Sequence, residues 1–458
     1  MKHIRYIELC ILSVRRTVCV LSALAVFGLG FSQDFTRLSE RSLFGTARYV
    51  GMSGAMTAIG GDPSAVQDNP AGLGLYRRAE IMITMGFNAY KMRQLTTAND
   101  AARSYFTLPQ VSGVISMPTA NCFTQQSGVQ FHNFMFSYNR LHSFNRTFLM
   151  GVANTNSLGS LLADKTTVMD IPFCAEDRNN SHSFRLYESG YVDQYAFNWA
   201  MNANDKWYFG LGLQIQSYLL SSDGNYFETF DVQNADGVSY SNRNRSSLIL
   251  SGVGTTLSAG FIYRPLRFLR MGLGFQTASL GSLRGSTTGT FSAQTDSLRH
   301  SYAPDMSFSD KNFHMPWKLS ASMAFQISAY AMIALQYNFT GSRDMQPFHS
   351  FRLGFEVIPV MGMYINAGMA FESTCTNYAQ PEPMDYSFDR QDTYSLYSHN
   401  SWLGSIAVGY RGAHMIFQLA YQYNRQDPFL FAHEYTPKYD NLVTDTHRLV
   451  FSIGWHQN

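Results

Sequence analysis

Charge is what this sequence has least of. Asp, Glu, Lys and Arg make up 14% of its 458 residues, against roughly 25% in a typical soluble domain. The 34 basic and 32 acidic residues leave a formal net charge of +2. A balance this even lacks the basic stripe of a nucleic-acid-binding protein, so nucleic acid is not an expected partner. Long hydrophobic runs are missing as well. Past residue 32 no apolar stretch approaches the ~20 residues that a membrane-spanning helix requires. Cysteine is scarce. Cys10 and Cys19 fall in the amino-terminal segment, while Cys122, Cys174 and Cys375 are widely separated. That odd, scattered set implies no disulfide framework and leaves open which two, if any, pair.

What is present is apolar and aromatic. Hydrophobic residues reach 45% and aromatics 15%, with 27 Tyr and 35 Phe, yet the mean hydropathy is only -0.15. A chain poor in charge, rich in aromatics and lacking spanning helices suits a β-barrel whose lipid-facing and lumen-facing residues alternate. The amino terminus reads as a cleavable signal. Arg15 and Arg16 precede the apolar run Val18 to Leu29, and Gly30-Phe31-Ser32 supplies small residues for cleavage before Gln33. A single anchoring helix fits less well, because the run is short and has no charged stop beyond it.

From Ala79 onward the chain repeats alternating segments of membrane-spanning length. In 207–219, Trp207, Phe209, Leu211, Leu213, Ile215 and Leu219 share one face, opposite Tyr208, Gly210, Gly212, Gln214, Gln216 and Tyr218. Connections alternate too. Short ones are expected near 203–206, 265–267, 327–328, 359–360 and 411–412, and long ones at 91–107, 155–189, 220–246, 279–314, 373–398 and 425–444. Outer-membrane barrels have short periplasmic turns and longer external loops. Counting segments naively gives fifteen, and an odd count conflicts with barrel closure in bacteria. Joining 129–153 into one kinked strand restores an even count and puts every long connection on one side. The expectation is an all-β, 14-stranded antiparallel transmembrane β-barrel with a small N-terminal hatch plugging the lumen; sixteen strands is the alternative.

Residues 34–78 differ in texture. They are rich in Gly and Ala and lack period-two alternation. A fourteen-stranded lumen is wider than its own side chains fill, so a compact Gly-rich plug ahead of the strands has a physical rationale. The domain expectation is a signal peptide at 1–32, a hatch at 33–78 and the barrel at 79–458. The stretches Phe44-Gly45-Thr46-Ala47-Arg48, Gly51-Met52-Ser53-Gly54-Ala55 and Asp68-Asn69-Pro70-Ala71-Gly72 resemble the start of FadL-type outer-membrane transporters of hydrophobic compounds. The likeness is nearest to the branch often called hemin receptor or aromatic-hydrocarbon transporter. The resemblance implies a hatch inside a fourteen-stranded barrel, a kinked third strand, and a hatch motif at Asn69, Pro70 and Ala71. It covers the whole chain in architecture but only about 44–74 in recognisable residues, and it carries over no ligand-binding residues. A bare turn leading into the first strand is the plainer reading of Asn69 to Gly72.

Other motifs carry less. The twelve His include no pair at i, i+4 and no Cys neighbours, even at His132 and His142, so no metal or cofactor is expected and no ligand pair supports the hemin name. His414 stands near no nucleophile on its own strand, and no enzyme activity is expected. The lumen face mixes Gln, Asn and Tyr with Met82, Ile416 and Val450, which either line a route for greasy solutes or pack against the plug. Asp296-Ser297-Leu298 matches a short bacterial glycosylation signal. No segment after Gln33 reads as an energy-coupling box. The expected function is passive uptake of small hydrophobic molecules, fatty-acid-like or aromatic, across the outer membrane of a Gram-negative cell. Expected partners are that ligand and the surrounding lipid and lipopolysaccharide. The second reading is a non-transporting barrel serving as a subunit of a larger assembly with other outer-membrane proteins or surface lipoproteins.

Overall fold

A computed structural model describes residues 38–95, 100–124, 127–152, 181–231, 239–294, 299–302, 305–341, 347–373, 395–397, 400–431 and 442–457. The signal peptide, Cys174, Cys375 and Asp296-Ser297-Leu298 lie outside the described residues. Fourteen strands follow one another around a closed wall. They are β1 Glu80–Gln94, β2 Asp100–Pro118, β3 Val129–Ser143 continued by Arg146–Val152, β4 Ser181–Ala203, β5 Trp207–Asp231 and β6 Ser239–Leu266. Then come β7 Leu269–Gln276 continued by Leu280–Gln294, β8 Asp305–His314 continued by Trp317–Ser328, β9 Ala331–Gly341 and β10 Phe348–Val360. The circuit ends with β11 Met363–Glu372, β12 Ser401–Arg411, β13 Met415–Gln426 and β14 Leu442–His456. Each neighbour pair is antiparallel, and β14 closes on β1 from Glu80↔His456 to Gln94↔Leu442. The count is fourteen, and the described part of the expected 129–153 segment, residues 129–152, is one strand with a break at 144–145.

Alternation sets the two faces. On β5, Trp207, Phe209, Leu211, Leu213 and Ile215 are exposed outward, while Tyr208, Gln214, Gln216 and Tyr218 are buried in the lumen. Exposed apolar side chains continue around the wall at Ile81, Met271, Leu335, Phe351, Met369, Trp402 and Phe417. In water such a belt would be an association site; around a closed barrel it is the surface that hydrocarbon wets. Turns on one end are tight. Asn204 and Asp205 adopt φ of 57° and 54° between β4 and β5, a conformation that Asn and Asp tolerate better than most residues. His414 is exposed in the β12–β13 turn.

Several of the long connections are shorter than the sequence suggests: 91–107, 220–246 and 279–314 are largely strand, and 155–189 is strand from Ser181 on. β2 begins at Asp100, β4 at Ser181 and β6 at Ser239, while β5 runs to Asp231. Strands of 23, 25 and 28 residues far exceed the ~9–11 that span hydrocarbon. Their outer portions reverse polarity. On β5 Ser221, Asp223 and Asn225 face out, and Leu220, Tyr226 and their neighbours Phe184 and Leu250 face in. Residues that alternate with the opposite sense read as polar loop, which is why the sequence reading stopped short.

The segment from Leu38 to Tyr76 fills the lumen. Helix α1 Ala47–Gly51, capped by Thr46, lies against β11 to β14, with Ala47 and Val50 packed on Ala407, Ala420 and Val450. Val450 therefore packs the plug, as the plainer of its two readings held. Helix α2 Ala65–Asp68 leads to a 3-10 turn at Pro70–Leu75 that rests on β3 to β6. Close approach is possible because the wall presents glycine there. A Cβ at Gly260 would lie 1.9 Å from Asn69 Oδ1, and one at Gly210 would lie 2.3 Å from the Pro70 carbonyl carbon. Gly260→Val is expected to cost ~1–3 kcal/mol through overpacking. Limited proteolysis should then cut the hatch while the wall keeps its heat-modifiable mobility on gels; a protected hatch would sink this reading of the seat.

Candidate functional site

Asn69 sits at the centre of the hatch seat. It is fully buried and extended, with φ -149° and ψ 102°, as a residue before proline prefers. Its Oδ1 accepts from the Ala71 amide at 3.0 Å, starting the 3-10 turn. Its Nδ2 donates to the Thr57 carbonyl at 2.9 Å and the Phe261 carbonyl at 3.3 Å. One side chain thus joins two parts of the hatch and one wall strand. Pro70 begins the turn without needing an amide partner, and Ala71 is buried against Tyr208 and Ile262.

Charges fix the other side of the hatch. Arg48 makes a forked pair with Glu356 at 2.7 and 2.8 Å, and Asn366 donates to the same carboxylate at 2.8 Å. Asp68 accepts from Tyr49 at 2.7 Å and from Lys318 at 2.7 Å, with Arg352 at 3.5 Å. Burial alone raises the Asp68 carboxyl, but Lys318, Arg352 and the Tyr49 hydroxyl outweigh it and hold it below the ordinary carboxylate range. Asp62 goes the other way. Burial raises it, despite Arg48 and the Thr46 hydroxyl. Arg448 of β14 donates to the Leu43 carbonyl at 2.6 Å and lies 3.8 Å over the Phe44 ring.

Above this floor is a lumenal cavity of about 210 Å³. Tyr49, Gln67 and Asp68 of the hatch meet Lys318, Arg352 and Gln216 of the wall around it. Its lining mixes these groups with Phe44, Leu141 and Met315. The more apolar inner surface lies farther along, where Phe148, Met150, Phe184, Leu186, Leu248 and Leu250 point inward from the extended strands. Sequence reading missed it because Phe184 and Leu186 fall in an expected loop, Phe148 and Met150 beside the expected kink, and Leu248 and Leu250 at the very start of an expected strand; continued period two was the available signal.

The β2–β3 ladder is interrupted. β2 pairs with β3 only from Pro118↔Phe131 to Gln110↔Asn139, so Asp100 to Pro109 have no strand partner on that side. Two features cause it. A bulge at Leu108–Pro109 shifts the β1–β2 register between Thr84↔Gln110 and Gly86↔Thr107, and Pro109 has no amide to extend a ladder. On the facing side β3 breaks at Phe144–Asn145, and its continuation pairs only with β4. Side chains bridge the break instead. Gln94 exchanges hydrogen bonds with Gly151 at 3.2 and 3.3 Å, and Tyr90 meets Phe148 edge-on. The first hatch residues lie here too: the Ser42 amide donates to Leu141 at 2.9 Å, and Glu40 accepts from Arg146 at 2.9 Å. Arg146 also pairs with Glu188, and His142 Nδ1 bonds Ser42 Oγ at 3.0 Å.

Neither a family model nor a curated protein sequence matches this chain. Solved structures do. The CymD monoaromatic hydrocarbon channel aligns over 92% of this chain and 99% of its own, with 12% identity and a TM-score of 0.55. A Pseudomonas aeruginosa FadL homologue aligns over 91% and 98%, with 12% identity and a TM-score of 0.51. The chain has the FadL-type fold. The Pseudomonas putida toluene transporter TodX is similar in the same way, over 91% and 99% at 13% identity and a TM-score of 0.51. The FadL-type hatch and barrel expected from sequence are thus both present.

The Asp68 cluster has a pH signature. Its folded pKa is depressed, so its contribution to stability is present above the unfolded value near 3.9 and is lost as pH falls through the folded value. Asp68→Asn should lower the thermal midpoint at pH 7 and flatten the decline below pH ~4. A variant that keeps the wild-type profile in a pH series of melting curves would remove Asp68 from this role.

Proposed function

We propose that the protein is an outer-membrane barrel for passive uptake of small hydrophobic molecules, fatty-acid-like or aromatic. Its long connections face outward and its short turns face the periplasm. The signal peptide at 1–32 is removed, the hatch is 33–78, and Asn69, Pro70 and Ala71 pin it to the wall. The observation that carries the reading is the interrupted β2–β3 ladder beside the first hatch residues. A solute that collects on the apolar inner face of the extended strands passes to the lumenal cavity. It leaves between β2 and β3 when Ser42 and Glu40 release their hold on Leu141 and Arg146. Such a path needs only a concentration difference, and it returns an apolar solute to hydrocarbon rather than to water.

A second reading, a non-transporting subunit of an outer-membrane assembly, draws support from how firmly the hatch is held. Asn69, Arg48, Asp68 and Leu43 each contact the wall through polar bonds that are buried or partly buried, and such groups resist displacement. One comparison separates the two. Deleting Pro109 should remove the bulge, leave Leu108 opposite Met85 in unbroken register and give β2 an amide with which to extend its ladder toward β3. In lipid nanodiscs and in cells, the transport reading expects saturable binding of a fluorescent fatty acid or an aromatic hydrocarbon by the wild type. It expects uptake to fall at least ten-fold in the deletion while external binding persists. Unchanged uptake, or stoichiometric recovery of partner proteins with no ligand binding at all, would favour the assembly subunit.

A further inference from the structure

The outer face of the extended strands carries a concentration of arginine that the uptake path does not use. Arg185 of β4, Arg243 and Arg245 of β6 and Arg284 of β7 face outward. Arg103 of β2 crosses the interrupted seam to lie 4.5 Å over the Tyr187 ring and donates to its hydroxyl. Against these five, Asp223 is the one carboxylate among the described outward side chains of the same cross-strand rows. The whole chain is nearly balanced, at 34 basic to 32 acidic residues, so the imbalance is local.

Register places the key groups in one line. Arg185 pairs with Asn225, Asn225 with Arg245, and Arg245 with Thr290. The two arginine Cα atoms are therefore two strand spacings apart, about 10 Å, and their forks reach a common anion between them. A groove of about 420 Å³ runs along this line, with Tyr187 and Asp223 on its lower edge. Among the described residues neither Arg185 nor Arg245 has a carboxylate partner. Asn225 Oδ1 is buried and unpartnered beside them, as is Arg243 Nε. An arginine fork matches phosphate, and the exposed Thr288 and Thr290 hydroxyls along the groove match a sugar hydroxyl. Position narrows the choice further. Exposed Ile249, at the edge of the apolar belt, stands on the same strand as Arg245, about 13 Å away at ~3.3 Å per residue. A headgroup anchored in the adjoining leaflet reaches that height.

We infer that this row binds the phosphorylated sugar headgroup of lipopolysaccharide, fixing the extended strands in the outer leaflet. The inference rests on the outward orientation proposed above. The purified full-length barrel in detergent is titrated with rough-type lipopolysaccharide by native mass spectrometry. Arg185→Gln/Arg245→Gln is expected to weaken binding at least ten-fold, and enzymatic removal of the phosphates to weaken wild-type binding equally. Phosphatidylglycerol micelles should not compete. Affinity within two-fold of wild type in the double variant, indifference to dephosphorylation, or full competition by phosphatidylglycerol each overturns the site. Thr290→Cys labelled on intact cells by an impermeant maleimide tests orientation alone. No labelling above wild type overturns the outward reading, whereas labelling together with unchanged lipopolysaccharide affinity overturns only the arginine site.

Discussion

The structure depends first on how its lumen is filled. Fourteen strands enclose more space than their side chains occupy, and the inward row is largely Asn, Gln, Ser and Thr. Left to a loose plug, those groups would lose water without gaining partners, at ~1–3 kcal/mol each. The arrangement that avoids this cost is close contact between two backbones. Gly210 and Gly260 remove the wall's Cβ atoms where Asn69, Pro70 and Ala71 press in. Gln336 then donates from the wall into the hatch cluster and accepts from the Thr57 amide at 3.0 Å. Small residues bring the surfaces together, and polar side chains at that distance find each other.

Position, more than stability, is what the buried charges provide. Replacing a buried ion pair with apolar groups of the same volume is often neutral or favourable, whereas removing one partner costs about 3–5 kcal/mol. Arg48–Glu356 and the Asp68 cluster therefore penalise any register of the hatch but this one. They lie on the β8–β11 side. Toward the interrupted seam the hatch is held by Ser64 on Gln110, by Asn133 on the Leu73 and Tyr76 carbonyls, by the Ser42 amide on Leu141 and by the Glu40–Arg146 pair. At the seam the wall itself lacks a ladder, so opening there breaks side-chain contacts rather than a row of backbone hydrogen bonds.

Much of this was legible beforehand. Period-two alternation gave the strands their faces, and loop-length parity gave fourteen of them with a broken third strand. Asn69-Pro70-Ala71 stood out from position, and each of the three does meet the wall or the turn it starts. What could not be read falls into two kinds. Contacts such as Arg48 with Glu356 join residues 308 positions apart, and neither residue carries a local pattern that names its partner. The extended strands failed for another reason. Ser221, Asp223 and Asn225 look like loop when an apolar outward face is assumed, although the alternation never stops.

That reversal also says where the membrane ends. A strand in hydrocarbon keeps apolar residues outward and tolerates a polar lumen. A strand in water needs one apolar face covered, as any antiparallel sheet does. β5 obeys the first rule from Trp207 to Ile215 and the second from Leu220 to Tyr226. Between them the outward side chain at 217 is serine and the inward one at 218 is tyrosine, so the crossover occupies only a few residues. The apolar inner surface is then a structural requirement before it is a binding surface: strands that leave the bilayer hold together only by turning their hydrophobic residues toward the lumen. A chain that extends its strands into water acquires an apolar inner surface above its plug as a physical consequence.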